Sequence, residues 1–205
     1  MIKIENIIFD LGGVVLTDED VGFLFDNEEA KRLFNSRDEK MADAWKKNWR
    51  LGGEGKVTNL EFYNLLQKEI KDEFDEGWSK RFIRYYKERT RALESYYLLP
   101  KLKKKYNLYC LTNMTPWGFK FKKDKFKLDK YFKIIVSSSE EKISKPDPKI
   151  FKILIKKAKI KPSETLFIDD NERNTKAGED LGFVVYKYEG IESMEKRFKE
   201  LGILV

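Results

Sequence analysis

The stretch IENIIFDLGGVV, residues 4–15, decides how the chain is read. Ile7, Ile8 and Phe9 form an apolar run that stops abruptly at Asp10, with Gly12 and Gly13 close behind. Val14, Val15 and Leu16 then resume the apolar pattern. A short apolar run bounded by turn residues reads as a buried strand. A carboxylate closing such a strand is held rigidly at a sheet edge, and adjacent glycines let the backbone approach a bound group closely. Taken alone, an Asp-x-Gly is more simply the start of a turn, so the rest of the chain must decide between the two readings.

Working outward, strand-like runs recur at Ile4–Phe9, Leu108–Leu111, Phe132–Val136, Leu166–Ile168 and Phe183–Tyr186. Helical periodicity lies between the later ones. DPKIFKILIKKAKI puts Ile150, Phe151, Leu154, Ile155 and Ala158 on one face, with Asp147 as N-cap and Pro148 at the first helical position. NERNTKAGEDLG reads as a helix stopped by Gly182. Alternation of strand and helix predicts an α/β fold, a Rossmann-like parallel sheet with helices on both faces. Residues 17–93 break that rhythm: they hold amphipathic segments, such as VGFLFDNEEAKRLF and TNLEFYNLLQKEI, and no convincing strand. The expected organisation is therefore a core of residues 1–16 and 94–205 with a helical insertion at 17–93. The tail IESMEKRFKELGILV reads as a final helix with a short extended end.

Composition narrows the chemistry. A chain of 205 residues with 41% hydrophobic content can build a real core. Cys110 is the single cysteine, which excludes an intrachain disulfide and a thiolate cluster and suggests a reducing, cytoplasmic setting. Histidine is absent, so Ser-His-Asp and Cys-His catalysis and His-ligated zinc are excluded. No run approaches the ~20 apolar residues of a membrane helix. The formal charge of +7 reads first as a solvated lysine-rich surface and second as steering of anionic substrates. Acidic residues interleaved throughout argue against a nucleic-acid partner.

In an open parallel sheet, ligands bind beyond the carboxyl ends of the strands, near the switch in strand order. The polar residues that end the runs are accordingly the candidates: Asp10, then Thr112 and Asn113 in CLTN, then Asp169 and Asp170 in FIDDN, with Lys145 in SKPDP. Each has an ordinary alternative. Thr112 could be a plain polar strand end, the Asp169–Asp170 pair a helix cap, and Lys145 one more solvated lysine. Together they form one charge-balanced constellation.

The order FDLGGVV, LTN, KPDP, FIDDN resembles the haloacid dehalogenase superfamily of aspartate-nucleophile hydrolases, with its four motifs spanning nearly the whole chain. Within it, the first motif is most similar to the branch of sugar-phosphate phosphatases and epoxide-hydrolase phosphatase domains. The insertion resembles the helical cap of one subgroup, and GEGKVTNLEFYNLL resembles a segment of such caps. The resemblance implies Asp10 as nucleophile, and Mg²⁺ held by Asp10, the Gly12 carbonyl and Asp169, with Asp170 behind. It implies the Thr112 hydroxyl and the Asn113 backbone N–H as donors to the phosphoryl oxygens and Lys145 as the neutralising cation. Trp45, Trp49, Arg50 and Tyr63 are candidates for substrate contact, but Trp45 and Trp49 share a helix face and read as packing residues.

One position departs from the pattern. Phosphatases of this superfamily carry an acid–base Asp two residues after the nucleophile, where this chain has Gly12. Asp18 or Asp20 could supply the missing carboxylate. The expectation is a Mg²⁺-dependent hydrolase of a small phosphate ester, a sugar phosphate, acting through an aspartyl phosphate. The alternatives are a C–halogen hydrolase and a phosphate-binding protein without turnover.

Overall fold

The computed structural model describes residues 3–17, 39–70 and 78–204. Strands β1 (Asn6–Phe9), β2 (Asn107–Thr112), β3 (Ile134–Ser137), β4 (Thr165–Asp169) and β5 (Val184–Lys187) form one parallel sheet in the order β3-β2-β1-β4-β5. The chain runs outward from β1 through β2 to β3, then crosses back to β4 on the other side. The switch in strand order therefore falls at β1, whose Phe9 is paired with both Cys110 and Ile168.

Side chains alternate across the sheet. Ile7 and Phe9 join Leu108, Cys110, Leu166 and Ile168 in a core on one face. Ile8 joins Tyr109, Leu111, Val136 and Phe167 in a core on the other. Burial on both faces explains why these strands read as unbroken apolar runs rather than as an alternating pattern. The strand expected from Phe132 begins instead at Ile134. Phe132 is spent before the strand, packing its ring 6.3 Å from Phe9 after the turn at Leu128–Lys130.

The described helices between β1 and β2 are α1 (Glu39–Gly53), α2 (Asn59–Ile70) and α3 (Trp78–Arg89), followed by the short α4 (Leu99–Leu102). The helix expected at residues 21–34 lies outside the described residues, as do Asp18 and Asp20. A reciprocal cap starts α2: the Thr58 N–H donates to Glu61 Oε2 at 2.7 Å, and the Glu61 N–H donates to Thr58 Oγ1 at 3.2 Å. Gly52 lets α1 lie against α2, because a Cβ there would come within 2.8 Å of the Phe62 ring. Two linkers run side by side into this segment, with the Thr17 N–H donating to Arg91 O and the Leu93 N–H to Val15 O.

The remaining helices are α5 (Pro116–Phe126), α6 (Ser138–Glu141), α7 (Pro148–Ala158), α8 (Glu172–Asp180) and α9 (Ile191–Glu200). α7 starts as its sequence predicts: Pro148 is in the first turn and the Asp147 side chain accepts from the Lys149 N–H. It buries Ile150, Phe151 and Leu154 against the sheet. α8 is capped by Asn171, and Gly178 sets its distance from the sheet, since a Cβ would fall 2.8 Å from Phe167. α9 contributes Met194 and Phe198 to the opposite core.

Candidate active site

Strand register brings the ends of β1, β2 and β4 to one edge. The Asp10 N–H donates to Ile168 O at 2.9 Å, which continues the β1–β4 ladder and sets Asp10 beside Asp169. Carboxylate oxygens of Asp10, Asp169 and Asp170 all lie within 4.8 Å of one another. Asp169 is fully buried, whereas Asp170 is exposed. Gly13 makes room for this cluster. Its φ is +69°, and a Cβ would fall 2.3 Å from Asp170 Oδ2.

Lys145 reaches into the cluster from the loop after α6, with only 4% of its surface exposed. Its ammonium contacts Asp169 Oδ2 at 2.6 Å, Leu111 O at 2.8 Å and Asp10 Oδ1 at 3.0 Å. These three acceptors match its three N–H donors. Its peptide group is clamped as well. The Lys145 N–H donates to Asn113 Oδ1 at 2.8 Å, and Asn113 Nδ2 donates to Lys145 O at 2.9 Å. The Asn113 side chain is thus committed to holding Lys145. Asp169 is just as fully committed, because its Oδ1 accepts from the Asn171 N–H and from Asn174 Nδ2, both at 2.9 Å.

The charge balance expected from the sequence does not hold: three carboxylates face one ammonium. Burial pushes the Asp10 carboxyl up to about 7; Lys145 opposes that rise, while Asp169 and Asp170 add to it. Burial would lower the pKa of Lys145, but the attraction of Asp10 and Asp169 outweighs it and the net shift is upward. An all-oxygen cluster with excess negative charge fits a hard divalent cation such as Mg²⁺. Thr112 presents a second unmet demand. Its hydroxyl is buried and has no hydrogen-bond partner among the described residues, and leaving such a group unpaired costs about 1–3 kcal/mol.

A cavity of about 470 Å³ opens over this edge, lined by Asp10, Gly12, Asn113, Lys145 and Asp170 among others. Of its other lining residues, Lys187 and Asn174 were not among the candidates from sequence, and Trp49 was named there but read as a packing residue. Trp49 comes from α1, so the inserted helices do supply a wall of the cavity. Lys187 ends β5, a strand end that carries no motif, and lies 3.9 Å from Glu172. Asn174, inside α8, holds Asp169. Inspecting the fifth strand end alongside the others would have found Lys187. The helical spacing of Trp45 and Trp49 pointed to packing, whereas Trp49 lines the cavity. The side chains of Trp45 and Tyr63 lie outside the described part of the structure, and Arg50 pairs with Glu54 rather than lining the cavity.

A family model for haloacid dehalogenase-like hydrolases matches residues 4–182. The chain belongs to that family. Among curated relatives of this hydrolase, the D-ribitol-5-phosphate phosphatase of Bacteroides thetaiotaomicron is 29% identical, over 91% of this chain and 92% of the relative. A haloacid dehalogenase-family enzyme from the same organism superposes with a TM-score of 0.78 at 28% identity, covering 96% of this chain and 98% of that one. A structure of that enzyme in complex with magnesium and inorganic phosphate gives a TM-score of 0.75 at 29% identity, over 95% and 99% of the two chains. The L-2-haloacid dehalogenase of Xanthobacter autotrophicus shares the fold at 17% identity, with a TM-score of 0.63. No helix among the described residues is long and apolar enough to cross a membrane.

Proposed function

We propose that this hydrolase is a Mg²⁺-dependent phosphomonoesterase acting on a small polyol or sugar phosphate, with Asp10 as nucleophile. The observation that carries the reading is the junction of Asp10, Asp169, Asp170 and Lys145 at one sheet edge, beside the orphaned Thr112 hydroxyl. The sugar- or polyol-phosphate class is supported by the ribitol-5-phosphate phosphatase relative and by a cavity suited to a small metabolite.

The hydrogen bonds found on the Asp10 carboxylate, from the Leu11 N–H and Lys145, fall on Oδ1. Oδ2 is therefore the oxygen to attack phosphorus. In the first step an Asp10 Oδ2–P bond forms and the ester P–O bond breaks, and the leaving oxygen departs as the alkoxide and takes its proton from solvent, because Gly12 supplies none. In the second, water attacks phosphorus and loses a proton to solvent, the Asp10–P bond breaks, and phosphate leaves with the Asp10 carboxylate restored. This covalent route divides one difficult displacement into two. Lys145 holds Asp10 and Asp169 in register and offsets part of their charge. Thr112 donates its hydroxyl to a phosphoryl oxygen, meeting the need left open in the free protein. Asp10, the Gly12 carbonyl and Asp170 would hold Mg²⁺, with Asp169, whose oxygens already accept from Lys145, Asn171 and Asn174, behind them rather than in the ligand set the resemblance implied; the ion when bound would offset the repulsion between the aspartate and phosphate anions. The inserted helices act as a cap, with Trp49 facing the leaving group.

Gly12 favours a second reading, phosphate-ester binding without turnover. One experiment separates the two: phosphate release from a panel of polyol and sugar phosphates, with and without Mg²⁺, for the native chain and for Asp10→Asn. Mg²⁺-dependent release that the substitution abolishes is expected. Saturable binding of the same esters without release would favour the second reading, and release that survives Asp10→Asn would overturn the first.

A further inference from the structure

The segment joining α1 to α2 lies on the core directly beside the cavity, and a buried carboxylate is at its centre. Glu54 exposes 2% of its surface. Its Oε1 accepts from Arg50 Nε at 3.1 Å, one helical turn back, and its other oxygen pairs with Lys56. Across the junction, Oε1 also accepts from the Ser144 hydroxyl at 2.8 Å. Two further contacts bind the same two segments: Ser138 Oγ donates to Gly53 O at 2.5 Å, and Lys142 Nζ donates to Gly55 O. On the core side, Ser138 Oγ also accepts from the Met114 N–H. Gly55 has φ +56°, and a Cβ there would come within 2.5 Å of Ser139 O, so the two backbones meet without side chains between them.

What the contact touches matters more than how many bonds it has. Ser144 immediately precedes Lys145, whose peptide is clamped by Asn113 and whose ammonium bridges Asp10 and Asp169. Met114, tied through Ser138, lines the cavity, and so does Trp49, against which Gly53 lies. One docked loop therefore fixes both the aromatic wall from the inserted helices and the lysine against the nucleophile. A buried carboxylate bonded across a junction is an expensive group to leave unmatched.

We propose that Glu54 is a positioning residue that latches the inserted helices over the cavity through Ser144 and so sets Lys145 against Asp10. The kinetic part rests on the phosphatase reading above; the structural part does not. Neither residue lines the cavity. The contact makes closure of the cavity and alignment of the reacting groups a single event.

The test uses the full chain with Mg²⁺, with p-nitrophenyl phosphate as substrate and amide hydrogen exchange as an activity-independent readout. Glu54→Ala and Ser144→Ala should each raise exchange at both 50–57 and 137–146 while leaving the strands protected. Each should lower kcat/KM roughly ten- to a hundred-fold, the range of one charged hydrogen bond. The double variant should be no worse than the weaker single, because both remove the same link. Glu54→Gln, which keeps an acceptor for Ser144, should retain most of the activity. Unchanged exchange at 137–146 in Glu54→Ala, or fully additive kinetic losses, would overturn the latch. Should Glu54→Ala fail to fold, Ser144→Ala alone decides through exchange at 50–57. Should the native chain release no phosphate, the exchange measurements still decide the latch, and the phosphatase reading fails separately.

Discussion

At the scale of single residues, the informative groups are those the free protein leaves poorly satisfied. Thr112 ends β2 with a buried hydroxyl that has no partner among the described residues, a cost of about 1–3 kcal/mol with no structural return. Such a group is retained for what it meets when a ligand arrives. Thr112→Val keeps the shape and removes the demand. It should raise the thermal midpoint of the free chain while lowering kcat/KM for phosphate esters about ten-fold or more, as expected for a lost donor to a charged oxygen. Calorimetry and steady-state kinetics on one preparation check both halves. A variant less stable than the native chain would show that the hydroxyl serves the fold instead.

At the scale of elements, the strands were legible because burial on both faces leaves continuous apolar runs, and their polar ends stood out against them. Asp10, Thr112 and Asp169 could be read for that reason: each is the first polar side chain after a buried run. Phe132 misled because an apolar residue before a strand looks the same as one within it. Trp49 was read as packing rather than as cavity wall, and the Glu54–Ser144 contact was illegible, because both depend on how the inserted helices meet the core, which local periodicity does not encode. That junction carries its own pH dependence. Burial would raise the Glu54 carboxyl, but hydrogen bonds from Lys56, Ser144 and Arg50 outweigh it and hold it below its ordinary 4.5. The charged groups around it are Arg50 on α1, Lys56 on the loop and Lys142 on the core side. A depressed carboxyl stabilises the fold above its unfolded value, and that contribution is lost as the pH falls through its folded value. The stability gap between the native chain and Glu54→Gln should therefore be level from neutral pH down to 4.5 and close below it, as read from urea midpoints.

At the scale of the whole molecule, the parallel sheet gathers three carboxylates around one lysine at its switch point. A folded state with surplus negative charge in one cluster is stabilised by any cation that binds there and not to the unfolded chain. Mg²⁺ at a hundred times its dissociation constant should add about 2.7 kcal/mol, raising the thermal midpoint by roughly 5–10 °C for a chain of this size. Asp10→Asn should shrink that shift. The same edge is also where the chain lacks a proton donor, since Gly12 replaces the carboxylate that the family pattern provides. Losing a positioned general acid costs about 10²–10⁴-fold in rate, but only for leaving groups that need a proton. Nitrophenyl and anomeric phosphates should therefore be hydrolysed at least about a hundred-fold faster than primary alkyl phosphates such as ribitol 5-phosphate, with a steep dependence of log kcat on leaving-group pKa. A flat dependence would mean that another side chain delivers the proton. The search would then turn to Asp18 and Asp20, which follow the first glycine turn in sequence, with Asp18→Asn and Asp20→Asn each tested for restoring the steep slope.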